Sequence, residues 1–414
     1  MTLAPVERRC VFFLGGYEPI SPERQHERFS REIKRFERTW NVATSVSVMA
    51  LSKDSAVASW RIETRAPNWR VETEYRSLRW DDIVAADFSR ADIVRLPRAL
   101  VAFADFIFSG TAWRYFKVNW RYGLFFLYPI VILAAFTAVA IYAALALVNW
   151  GLPMPALLGP AAGLLIFALL ILWPGRPMLL PYMLDDWLFA YELVHKTRPE
   201  LERRLDSFAQ DVATRLRDES FDEVIISAHS LGNALKLEVV DRALRLVPEF
   251  GSTGKKLSLV STGSSLLKIA LHPAGGWLKA AVERASRHSA IFWIEYHALV
   301  DLISFYKVNP VTALKLPQTG KPMLRKLRVR HMLNDETYRR FRGNFFRLHR
   351  QLVMGNDKRY FYDYFMICCG PFRLETRVED PELMMTAIAE DGSLQMPGAA
   401  RADNYSAPAT TAPS

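Results

Sequence analysis

A chain of 414 residues, half of them hydrophobic, is too long for one small domain and can bury a large core. Its formal charge of +10 would suit nucleic acid or an anionic membrane, but no Lys/Arg run with interleaved aromatics forms a nucleic-acid track, so nucleic acid is set aside and the membrane is the expected partner. The three cysteines, Cys10, Cys368 and Cys369, have neither disulfide nor metal-ligand spacing, which points to free thiols in a reducing compartment and no metal site.

In chain order, the opening MTLAPVERRCVFFLGG holds too short an apolar run for a secretory signal. CVFFLGG (10–16) reads as a buried strand ending in two glycines. Residues 21–40 read as a helix with Ser21 as N-cap and Pro22 in its first position. ATSVSVMAL (43–51) reads as a strand, and the alternation over 57–77 as a β-hairpin turning near Ala66-Pro67-Asn68. The stretch 91–110 is amphipathic to mostly apolar. It suits a membrane-surface helix and an ordinary core helix equally.

Between Arg121 and Arg176 there is no charged residue. Two apolar spans, 122–148 and 153–173, are each long enough for a hydrocarbon core, which needs about 20 helical residues. The connector NWGLP, with Trp150, reads as a tight turn, so the expectation is a transmembrane helical hairpin. Arg114, Lys117 and Arg121 precede it, Arg176 follows, and the connector has no cation. The positive-inside rule then places both ends, both termini and the flanking domain in the cytoplasm, on a multi-pass protein of the cytoplasmic (inner) membrane.

Beyond this block, helices at 198–217 and 232–247 alternate with strands at 223–228, 256–263, 290–296 and 326–333, and helical segments run to about 366. Such alternation predicts an α/β fold with a mostly parallel sheet covered by helices on both faces. The tail from Met396 is Ala/Pro/Ser/Thr-rich and reads as disordered. The expected organisation is 1–110 and 184–395 as two parts of one domain, 111–183 as the membrane insertion, and 396–414 as the tail.

The chemistry-bearing stretch is EVIISAHSLGNAL (223–235). Ala228-His229-Ser230-Leu231-Gly232 follows the G-x-S-x-G pattern with Ala in the first place. A serine on a sharp strand-to-helix turn needs small residues two before and two after it, and Ala228 and Gly232 supply them. The turn presents the Ser230 hydroxyl at the carboxyl end of the sheet, and the Leu231 amide can donate to an oxyanion.

This resembles the nucleophile elbow of the α/β-hydrolase family, in particular lipases and esterases of a bacterial membrane-anchored type. The resemblance covers roughly 10–50 and 198–366. It implies a serine hydrolase without cofactor or metal, acting on a lipid or other carboxylic ester through an acyl-enzyme. It also implies a second oxyanion donor after an early strand, for which FFLGGYEP (12–19) offers the amides of Gly16 and Tyr17. The acid should follow the nucleophile and precede the base. Asp301, in the loop after a strand, is the preferred acid over Glu295 within that strand and Asp241 on the helix after the turn. Two late histidines remain as bases, His349 preferred and His331 second. His229 is read as structural, and His195, His272, His288 and His297 come too early. Two further readings stay open: a catalytically inactive scaffold on the same fold, and an acyltransferase using the same triad.

Overall fold

The computed structural model describes residues 5–149, 158–252 and 254–395. Most of the connector, with Trp150, and the Ala/Pro-rich tail lie outside these residues. The chain runs β1 (Arg8–Leu14), α1 (Pro22–Trp40), β2 (Ala43–Val46), β3 (Ala50–Leu51), β4 (Val57–Arg65) and β5 (Arg70–Leu78). Helices α2 (Asp81–Phe88), α3 (Asp92–Phe108), α4 (Thr111–Val118), α5 (Trp120–Asn149), α6 (Leu158–Leu172), α7 (Leu180–Val194) and α8 (Pro199–Arg217) follow. Then come β6 (Glu223–His229), α9 (Gly232–Leu246), β7 (Leu257–Thr262), α10 (Leu266–Ala270), α11 (Gly276–Arg287), β8 (Ile291–Ala298) and β9 (Met323–Leu327), and short helices to the end.

The strands form one nine-stranded, mostly parallel sheet in the order β2-β4-β5-β1-β6-β7-β8-β9, with β3 also paired to β4. β1, β5, β6, β7, β8 and β9 are parallel, and β4 is antiparallel to β5 and β2. Period-two alternation sends Cys10, Phe12 and Leu14 into a core with α7, α8 and α9, and Val11 and Phe13 into a second core with α1 and the C-terminal segments. Both faces are covered, as parallel sheets require.

Local chemistry sets several boundaries. Ser21 Oγ accepts from the Arg24 amide, and Pro22 opens α1. The strand expected over 43–51 is broken, because Ser47 Oγ accepts the Arg61 amide where a ladder bond would continue. The strand expected over 326–333 stops at Leu327. Val329 and Met332 reach the core at helical spacing in a single turn, which leaves His331 exposed against Tyr360 rather than on an apolar strand face.

The expected pair of spanning helices is met by one helix. α5 has 30 residues, about 45 Å of helix, and only 22% of its most apolar stretch is buried. α6 has 15 residues, about 22 Å, short of a hydrocarbon core. It packs antiparallel on α5 through two glycines: Gly159 lies against Val148, and Gly163 against Ala140 and Ala144. A β-carbon at Gly159 would come within 2.5 Å of Val148. The amphipathic stretch 91–110 is α3, which has one apolar stripe buried and another exposed.

Candidate active site

Because β1, β6, β7 and β8 are parallel neighbours, the segments leaving their carboxyl ends meet at one edge of the sheet. These segments carry Gly16-Tyr17, Ser230, Gly263 and Asp301. Ser230 has φ +54, a left-handed conformation that costs a non-glycine residue about 1–3 kcal/mol. The turn is held from several sides. The Ser230 amide donates to Thr262 O at 3.0 Å, and its carbonyl accepts from Asn233 Nδ2 at 3.1 Å. Gly232 passes so close to β1 that a β-carbon there would lie 2.4 Å from Gly15 O. This is the physical need behind the small residue two after the serine.

His349 sits in the short helix Phe345–Arg350, capped by the Asn344 side chain. Its Nδ1 lies 2.8 Å from Asp301 Oδ2, and both residues are buried. The other carboxylate oxygen, Oδ1, accepts the Ile303 amide at 3.1 Å. A carboxylate accepts, so Nδ1 is the donor in this bond, and in the neutral imidazole that leaves the lone pair on Nε2. That Nε2 is buried and has no hydrogen-bond partner among the described residues. Gly263 makes the pairing possible: at φ +52, a β-carbon there would lie 2.6 Å from His349 Cε1 and 2.9 Å from Asp301 Oδ2.

The His229 ring lies against His349, tilted by 41°, with ring centroids 4.3 Å apart. Thr262 Oγ1 donates to Ala228 O, so it accepts from His229 Nδ1 at 3.3 Å, and His229 Nε2 is left without a partner. Burial, and then the neighbouring His349, hold the His229 pKa well below the usual imidazole value. Among the described residues no carboxylate touches this ring, so nothing there stabilises an imidazolium as Asp301 does for His349.

On the oxyanion side, a β-carbon on Gly16 would sit 3.0 Å from Ser230 Cβ and 3.6 Å from its Oγ. The amides of Gly16, Tyr17 and Leu231 find no acceptor among the described residues. The Tyr17 ring anchors this loop: its hydroxyl donates to Asp87 at 2.9 Å, and Asp87 is held by Arg198. Burial and Asp87 push the Tyr17 phenol far above its ordinary pKa. The Tyr17 carbonyl accepts from Tyr182 at the start of α7, whose ring also meets Phe346 beside His349.

Of the expected residues, the structure groups Ser230, Leu231, Gly16, Tyr17, Asp301 and His349 at this edge. His331 lies exposed beside Tyr360, apart from Asp301. Glu295 is paired with His297 inside β8, at 3.2 Å, and Asp241 binds Arg245 and Arg284. Gly263 was missed by sequence reasoning, as was Asn233, which ties Ser230 O to Thr262 O and is itself held by buried Lys236 at 3.0 Å. Burial pulls the Lys236 ammonium down to about 7, and three acceptors hold it in place. A glycine straight after an apolar strand was the available sign for Gly263. Nothing local marked Asn233.

The acid loop is braced by the root of α5. Asn119 Nδ2 donates to Tyr306 O, Arg121 donates to Leu299 O, and the Tyr122 ring stacks on Phe305 at 3.8 Å. No protein-family model, curated protein or solved structure matches this chain.

Proposed function

We propose that this chain is a membrane-anchored serine hydrolase that cleaves a carboxylic ester through an acyl-enzyme, on an α/β-hydrolase-like domain. The observation that carries the reading is the His349–Asp301 pair: its Nε2 is buried and unpartnered among the described residues, at the sheet edge that also carries a serine held at positive φ and the amides of Gly16, Tyr17 and Leu231. Ser230 attacks the ester carbonyl, and His349 Nε2 takes its proton. Asp301 fixes the tautomer and stabilises the imidazolium. The amides of Leu231 and of Gly16 or Tyr17 hold the oxyanion. His349 then returns the proton to the leaving alcohol, and water repeats the sequence to free the acid. The Ser230–His349 hydrogen bond is not formed here, and such bonds commonly tighten only with substrate bound.

α5 is the anchor in this reading, with α6 returning beside it, so that both ends of the apolar block lie with the catalytic domain. The cations that flank the block support a cytoplasmic location for that side by the positive-inside rule. The test is labelling of membrane fractions with a fluorophosphonate probe. Wild type and His331→Ala should label, and Ser230→Ala and His349→Ala should not. A folded wild type that never labels would overturn the enzyme reading.

A further inference from the structure

The anchor helix does not account for a second apolar surface. On α3, residues 93, 97, 100, 101 and 108 fall on one helical stripe and are all exposed, Ile93 at 84% and Phe108 at 88%. The opposite stripe, with Ala99, Phe103 and Phe106, is buried in the core. α3 is therefore apolar on two faces, and the domain covers only one. Next in the chain, Trp113 on α4 and Trp120 at the root of α5 are exposed as well. Because α5 and α6 are antiparallel, Trp173 lies at that same end. Contiguous exposed apolar patches of this kind mark interaction surfaces.

Charge identifies the occupant. From residue 106 to 184 the chain has no Asp or Glu. Arg114, Lys117, Arg121 and Arg176 lie in this stretch, and none forms an ion pair among the described residues, whereas most arginines of the domain are paired. Lys117 lies over the Trp113 ring and Arg121 over the Trp120 ring. Exposed aliphatic residues, a tryptophan border and cations without an acidic partner among the described residues fit the headgroup layer of an anionic bilayer. They do not fit an acidic protein, which would leave the aliphatic stripe uncovered.

We propose that α3, α4 and the root of α5 form an in-plane docking face that lies in the headgroup region of an anionic bilayer. This rests on α5 residing in the membrane, as proposed above. The same root braces the Asp301 loop through Arg121 and Asn119, so docking places the acid side of the site at the lipid surface. The substrate class is thereby narrowed to an amphiphile that enters from the bilayer.

The test uses single cysteines carrying nitroxide labels on the full-length protein, in vesicles of phosphatidylcholine with or without phosphatidylglycerol. The native cysteines are all buried, so background labelling is low. Val101→Cys and Phe108→Cys report on α3, and Val139→Cys on the exposed side of α5. Arg24→Cys, exposed on α1 over the opposite core, is the aqueous reference. Relative to Arg24, the labels at 101, 108 and 139 should collide more with oxygen and less with a water-soluble nickel chelate. Omitting phosphatidylglycerol should weaken this at 101 and 108 but not at 139. Lipid contact at 139 with aqueous contact at 101 and 108 overturns the docking face and leaves the anchor standing. Aqueous contact at 139 overturns both membrane assignments while the fluorophosphonate result stands. Spin–spin broadening at 101 between copies identifies a self-contact and overturns the inference. Indifference to phosphatidylglycerol overturns the anionic bilayer as the occupant.

Discussion

The sheet edge that carries Ser230 and the apolar block of α5 follow opposite burial rules. At the edge, polar groups are buried: Asp301, His349, His229, Asn233 and Lys236 are nearly inaccessible, and most find partners. Along α5, apolar groups are exposed, and the helix offers no polar face. A buried unpartnered nitrogen is costly in a protein interior, and an exposed aliphatic helix is costly in water. Under the proposed function each cost disappears when the right neighbour is present: an ester reacting at Ser230 at the first site, lipid at the second. The two regions are therefore read by the same question, namely what neighbour would remove the penalty.

The largest test of this contrast lies at the catalytic edge. His349→Ala and Asp301→Asn should each lower ester turnover by about 10⁴-fold, with little change in KM, as measured by steady-state kinetics in detergent micelles. If Asp301→Asn keeps full activity, the carboxylate is only a cap for Ile303. On the other side of the comparison, Val139→Arg places a charge on the exposed side of α5. A solvent-facing position would tolerate it within about 0.5 kcal/mol. A mid-membrane position should disfavour insertion by about 3 kcal/mol, seen as loss of protein from the carbonate-washed membrane fraction.

A smaller effect is expected from Gly263→Ala. The substitution meets both a left-handed backbone, worth about 1–2 kcal/mol, and the imidazole of His349. Turnover should fall more than the melting temperature alone would explain. The smallest effect concerns pH. His229 is held neutral in the folded state, while the unfolded chain takes up a proton below about pH 6.5. Its contribution to stability is present above that value and lost as the pH falls. The slope is at most about 1.4 kcal/mol per pH unit. His229→Gln should flatten the difference in thermal stability between pH 7 and pH 5.5, and an unchanged difference would place the acid sensitivity elsewhere.

Much of the site was legible because its chemistry constrains short stretches. The turn at Ser230 needs Ala228 and Gly232 within five residues, and Gly15-Gly16 follows an unmistakable buried strand. The order serine, acid, histidine then narrowed Asp301 and His349. What could not be read depended on contacts distant in sequence. Gly263 is required by an imidazole 86 residues away. His331 seemed to alternate with Leu327 and Val329, but the core accepts Val329 and Met332 instead, and that choice belongs to the tertiary packing. The exposed stripe of α3 was visible as apolar sequence, but only its surroundings separate a core face from an outer one.

The pairing of β1 with β6 has a consequence for how the chain is made. Arg9 and Glu223 form a buried ion pair at 2.8 Å across the centre of the sheet, and 214 residues separate them in sequence. The whole apolar block is translated between the two. At about 5–20 residues per second, Arg9 waits roughly 10–40 s for its partner. During that interval α5 leaves the ribosome, while β1 leaves an open edge on its half of the sheet. Pairing of β1 with β6 thus comes only after the apolar block has been made, and Ser230 joins the Gly16-Tyr17 loop only on chains whose apolar segment has already emerged.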